Sequence, residues 1–184
     1  MIKKIIVIFI FIIFVKPTLA KEDTMILKLK DGNVIIELFS DKAPNHVKRF
    51  KQLSKEKKYD GVVFHRVIDG FMAQTGDVEY GNSNLETYDI QRAGTGGSEY
   101  PDLKAEFSNI PHERGTLSMA RSSDPNSANS QFFICFKASP SLDRQYTVFG
   151  KVIQGMEFVD LIKRGEGSNG KVSDPDQIIS LSAK

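Results

Sequence analysis

At 184 residues the chain is long enough for one well-packed domain and hardly for two. Hydrophobic residues make up 40% and charged ones 26%, which excludes a disordered or collagen-like chain. The formal net charge is only +2, and without residues 1–20 the count is 22 basic against 23 acidic, too weak a positive field for a nucleic-acid partner.

Lys3 and Lys4 precede an unbroken apolar run of 11 residues, Ile5 to Val15, followed by Pro17 and then Thr18-Leu19-Ala20. Small residues three before and just before a cut are the mark of a signal peptide. The run falls well short of the ~20 residues that span a bilayer. Cleavage after Ala20 is therefore expected, with no stable membrane insertion afterwards. It would leave an exported domain of residues 21–184. The last four residues, Leu181 to Lys184, form no lumenal retention signal, so a periplasm is favoured over the endoplasmic reticulum. The single cysteine, Cys135, sits within Phe132-Phe133-Ile134-Cys135-Phe136 and reads as a buried thiol rather than a nucleophile.

Met25–Lys30 and Val34–Phe39 are strand-like runs about Asp31-Gly32-Asn33, which predicts a β-hairpin. Asp41-Lys42-Ala43-Pro44 opens a helix, with Ala43, Val47, Phe50 and Leu53 at helical spacing and lysines up to Lys58 on the other face. Short strands are expected at Val62–Ile68 and Phe71–Thr75. Residues 76–104, rich in Gly, Asn, Asp and Tyr, read as a long excursion of the kind that is usually functional or mobile. Strands resume at Gly115–Ala120, Gln131–Phe136 and Tyr146–Val152. A second helix fits Gly155–Arg164, and Ile178–Leu181 offers a closing strand. Many short strands with only two helices point to an antiparallel barrel plugged at its ends.

Three clusters mix apolar and polar residues unusually. The first joins Phe64-His65-Arg66-Val67-Ile68 to Phe71-Met72-Ala73-Gln74-Thr75-Gly76-Asp77. The second joins Gly115-Thr116-Leu117-Ser118-Met119-Ala120 to Ser130-Gln131-Phe132-Phe133-Ile134. The third joins Ser141-Leu142-Asp143 to Val148-Phe149-Gly150-Lys151-Val152 and Gly155-Met156. In this order and spacing, over most of residues 25–182, the chain resembles the cyclophilin family. That resemblance implies a mainly β fold, a closed eight-stranded antiparallel barrel capped by two α-helices. It also implies a groove on the outer surface of the barrel that isomerises X-Pro peptide bonds.

Carried over by motif, Arg66 is similar to the family's catalytic arginine. Phe71, Met72, Phe133 and Leu142 resemble its proline pocket, with Tyr146 where a histidine is common at the pocket edge. Gln74 resembles the glutamine that braces the arginine. Gln131 and the backbone of Ala120 and Arg121 resemble the strip that binds substrate main chain. Arg121 stands where an asparagine is frequent, and its charge would favour acidic neighbours of the proline. Ser141 replaces a tryptophan that helps many members bind cyclosporin. Gly94-Thr95-Gly96-Gly97 resembles the family's groove wall, since no Lys-Ser/Thr follows to make a phosphate loop.

Rotating an amide breaks no covalent bond, so nucleophile, metal and cofactor are all unnecessary. The expected partners are proline-containing peptides and unfolded or partly folded proteins, met by a monomer. His65 should point to the opposite strand face from Arg66 and is read as structural, while His46 and His112 stand in no ligand spacing. A proline-binding chaperone module without turnover is the alternative reading, but it has no need of Arg66. A hydrolase lacks a visible nucleophile and base.

Overall fold

A computed structural model describes residues 23–184; the expected signal peptide lies outside the described residues. Eight antiparallel strands form one sheet: β1 (Thr24–Leu29), β2 (Gly32–Leu38), β3 (Arg66–Ile68), β4 (Met72–Thr75), β5 (Thr116–Met119), β6 (Phe132–Cys135), β7 (Val148–Gln154) and β8 (Ser180–Ala183). The spatial order is β3-β4-β6-β5-β7-β2-β1-β8. In the first hairpin Leu29 pairs with Gly32, so the turn is Lys30-Asp31 and Gly32 already belongs to the strand. Met25, Leu27 and Leu29 alternate with outward residues and bury against Val34, Ile36 and Leu38. This is the period of two that half-buried strands require.

The sheet curls around its core as a half-barrel and does not close as a strand ladder, unlike the expected closed barrel. β3 and β8 are the two ends of the strand order. An irregular segment runs along the free edge of β3 and the residues before it. Val67 N–H donates to Gly170 O, Val172 N–H to His65 O, and Phe64 N–H to Asp176 O. Gly165, Gly167, Gly170 and Pro175 keep this segment from becoming a ninth strand. Its partners also take Val62–His65 out of the strand expected there. β8 starts two residues late because Ile178 and Ile179 donate to Val62 O and Lys28 O.

Helix α1 (Pro44–Lys55) buries Val47, Phe50 and Leu53 in the core, as its spacing requires. It has no acid in its first turn and no side-chain cap of its own. Glu106, far along the chain, supplies one: its carboxylate accepts the Asn45 and His46 N–H groups and the His46 ring Nδ1 at 2.7 Å. Phe50, Tyr59, Phe132 and Phe149 form the aromatic centre, with neighbouring rings 5.1–5.6 Å apart. Helix α2 is only Met156–Asp160, shorter than its pattern suggests, because Lys163 N–H turns to the Asp176 carboxylate.

Every residue of β5 and β6 is buried, and the two faces go to different places. Leu117, Met119, Phe132 and Ile134 enter the main core. Phe133 and Cys135 on the other face join Met72 in a second, smaller apolar cluster on the outer side of the curl. Strand alternation alone puts Arg66, Met72, Gln74 and Phe133 on that outer side.

Candidate active site

Nine of the ten expected site residues surround one cavity of about 190 Å³. Met72 and Phe133 are its buried floor, and Phe71, Leu142, Tyr146 and Ala120 pack around them half-buried. The Phe133 and Tyr146 rings meet edge to face at 6.0 Å. Arg66, Gln74 and Arg121 form the polar rim. Gln131, the tenth residue, lines an adjoining, more polar cavity of about 550 Å³ walled by Gly94–Ser98 and Ala120–Ser122.

Arg66 is braced. Its Nε donates to Asn169 O at 2.9 Å, and Nη1 donates to Gln74 Oε1 at 3.2 Å. The brace continues as Gln74 Nε2 donates to Gln131 Oε1 (3.0 Å) and Gln131 Nε2 to Gly96 O (2.8 Å). A guanidinium only donates and a backbone carbonyl only accepts, so the two ends dictate the orientation of both amides between them. Among the described residues Nη2 makes no hydrogen bond, which leaves its protons for a ligand.

Gly96 is in turn held by Asp77, a residue whose role the sequence did not disclose. Asp77 is buried; its Oδ2 accepts Gly94 N–H (2.7 Å) and Gly96 N–H (2.9 Å), and its Oδ1 accepts the N–H groups of Glu79 and Tyr80. One carboxylate therefore pins both ends of the insert. Gly94 has φ +100°, and an added Cβ would lie 2.9–3.0 Å from the His65 ring, so only glycine fits. The visible signal was an acid directly after Thr75-Gly76 with a glycine-rich stretch following.

Arg121 departs from expectation in its side chain. The guanidinium lies 4.4 Å from the centre of the Tyr146 ring and donates to Gln145 O and Ser122 O. It stiffens the pocket edge, and its charge is turned toward its own loop.

Behind Phe133 the fold assembles a group that linear spacing hid. His112 Nδ1 lies 2.9 Å from Asp143 Oδ1, and Nε2 lies 3.0 Å from Ser118 Oγ. A serine, histidine and carboxylate are thus in hydrolytic order. Ser118, however, is fully buried opposite Phe133 and also bonds Thr147 O, so no scissile carbonyl reaches it. The His112 ring lies parallel to Phe133 at 6.1 Å and supports the pocket floor. The imidazole and backbone N–H of His112 hold the Asp143 carboxyl below its usual range.

Cys135 lies beneath Met72, where burial pushes its thiol up to about 12. His65 is buried, and burial pushes it down to about 4 against the opposing pull of Asp77. Its neutral ring has no hydrogen-bond partner on either nitrogen.

A family model described as cyclophilin type peptidyl-prolyl cis-trans isomerase/CLD matches residues 24–183. The chain is 61% identical over 159 residues to a probable peptidyl-prolyl cis-trans isomerase of Brucella suis, covering 86% of this chain and 81% of that one. It is 40% identical over 161 residues to a peptidyl-prolyl cis-trans isomerase of Helicobacter pylori, covering 85% and 91%. Among solved structures it is similar to a cyclophilin of Hirschia baltica, with TM-score 0.74, 25% identity and coverage of 89% and 74%. A cyclophilin-type isomerase of Cryptosporidium parvum, solved in the presence of the dipeptide Ala-Pro, has TM-score 0.74, 29% identity and coverage of 88% and 98%.

Proposed function

The chain belongs to the cyclophilin-type peptidyl-prolyl cis-trans isomerase family, and on that premise we propose that it accelerates X-Pro rotation with Arg66 as the catalytic donor. The carrying observation is a guanidinium held by Asn169 O and Gln74 at the rim of an apolar cavity of about 190 Å³. Amide resonance sets a barrier of ~18–20 kcal/mol, and unaided X-Pro bonds take tens to hundreds of seconds to isomerise. As the bond twists, resonance is lost and a lone pair appears on the prolyl nitrogen. A fixed N–H donor aimed at that nitrogen bonds the twisted amide better than the planar one. Such differential binding is catalysis.

Phe71, Met72, Phe133, Leu142 and Tyr146 receive the ring and exclude water, which strengthens the hydrogen bond. Gln131 and the main chain at Ala120 and Arg121 hold the substrate backbone. A protease-coupled assay on a short X-Pro peptide tests the reading: cis-to-trans relaxation should speed up in proportion to enzyme. A rate equal to the uncatalysed one would overturn it.

His65 and Cys135 stay neutral at ordinary pH, since burial pushes the first down to about 4 and the second up to about 12. Between about pH 6 and pH 9, kcat/KM should vary by less than about twofold, and thiol-blocking reagents should leave it unchanged. A single-group inflection near ~6.5, with circular dichroism constant, would move the role to an imidazole.

We further propose that the enzyme acts on exported proteins and assists their folding. The support is the basic, apolar and small-residue pattern of residues 1–20. N-terminal sequencing of the mature protein should start at Lys21. Finding Met1 in a membrane fraction would show an anchor instead.

A further inference from the structure

A separate cavity of about 260 Å³ shares Arg66 and Gln74 with the apolar one and has a different wall: His65, Gln91, Asn169 and Lys171. Its lining carries two fixed cations and no carboxylate. Lys171 Nζ donates to Gln91 Oε1 at 2.8 Å and, among the described residues, forms no ion pair. His65 is only 5% exposed, and neither of its ring nitrogens has a partner. Its ring faces Gly94, which also lines the cavity. Both ring nitrogens are closed off from solvent, so the ring walls the cavity and offers no donor into it.

Asp77 pulls on the His65 ring, but among the described residues no carboxylate pairs with Lys171 or Arg66. All the bonding of Asp77 goes to four backbone N–H groups. Glu166 lines a different depression, shared with Ile90, Gln91 and Lys171. The wall at Gln91 and Ala93 comes from the long excursion after Asp77, so this insert builds the cavity.

We propose that this cavity is an anion subsite that takes a carboxylate side chain flanking the prolyl bond, so that acidic neighbours of proline are preferred substrates. Lys171 supplies both the charge and the hydrogen bond, while Nε and Nη1 of Arg66 stay committed to their braces. The insert then sets specificity without touching the proline ring. The inference rests on the isomerase reading of the groove.

The test measures kcat/KM for end-blocked X-Pro peptides with Glu, Gln or Lys scanned over the two positions on each side of the X-Pro pair. At one position Glu should exceed Gln by about fivefold, the upper scale of a solvent-exposed ion pair. That ratio should shrink in about 0.5 M NaCl, because the site is open to solvent. Lys171→Gln should bring the Glu-to-Gln ratio to about one, and Lys171→Glu should invert it. If Lys171→Gln loses its native circular dichroism, the salt series on the wild-type protein decides. Turnover of Gln peptides with no Glu advantage anywhere, or a ratio unchanged in Lys171→Gln, overturns the subsite alone. No turnover of any peptide overturns the isomerase reading and the subsite with it.

Discussion

Arg66→Ala should lower kcat/KM on a short X-Pro peptide by about 10²–10³-fold while leaving the fold intact. That is the loss expected when one transition-state hydrogen-bond donor is removed, ~2.7–4 kcal/mol. Folding survives because Arg66 is half-exposed and lies outside both apolar clusters. Its two bonds to protein brace the site and do not hold the sheet. Arg66→Lys should recover little, since a point charge cannot donate to Asn169 O and Gln74 together and still reach the substrate. Gln74→Leu should cost about tenfold, mostly in kcat, because the guanidinium loses its brace yet keeps its donors. The decisive measurement pairs the coupled assay with circular dichroism. An Arg66→Ala protein that is folded and retains more than half the activity would remove Arg66 from the mechanism.

The parts of this molecule legible in the sequence are those set by neighbours along the chain. Short strand-like runs between turns marked all eight strands, and Pro44 with Val47, Phe50 and Leu53 marked α1. Three clusters in register carried the family resemblance that named ten candidate site residues, and the fold brings them to one outer face, where Arg66 pairs with Gln74 and Gln74 with Phe133. What stayed hidden depends on partners distant in sequence. Glu106 caps α1 from 60 residues away. Asp77 reaches across the insert to Gly94 and Gly96. The half-barrel seam is filled by backbone of residues 165–178 that has no strand pattern to read. Arg121 looked like a free charge because a sequence does not show Tyr146 beneath it. Likewise Ser118, His112 and Asp143 come from three separate stretches, and only the register of β5 against β6 sets them behind Phe133. The misjudged helix α2 has the same cause: its pattern continues, but Asp176 captures the Lys163 N–H that would extend it.

Stability should fall by about 3 kcal/mol as pH drops from about 6.5 to about 4, and His65 should be the main cause. In the unfolded chain its imidazole titrates at the ordinary value of 6.5, whereas burial in the fold pushes it down to about 4. Between those values the unfolded state binds a proton that the folded state refuses, so acid favours unfolding. Above 6.5 both states are neutral and the stability is fully present; it is lost as pH falls toward 4. Burial lowers His46 too, which adds to the loss in the same direction. The carboxylates of Asp23, Asp143 and Asp160 are held below their ordinary value of 3.8, and that of Glu106 below 4.5, by their hydrogen-bond partners. Their contribution disappears at lower pH, that of Glu106 starting first, so the window above about 4.5 belongs mainly to the histidines. Urea unfolding at pH 7.0, 5.5 and 4.5 (all about these values) reads the effect directly. His65→Leu removes the titrating ring and an unpartnered pair of nitrogens, so its stability should change little over the same range. At about pH 4.5 the variant should equal or exceed the wild-type protein. If His65→Leu still loses about 3 kcal/mol over this window, the buried neutral imidazole is not what makes the fold acid-sensitive.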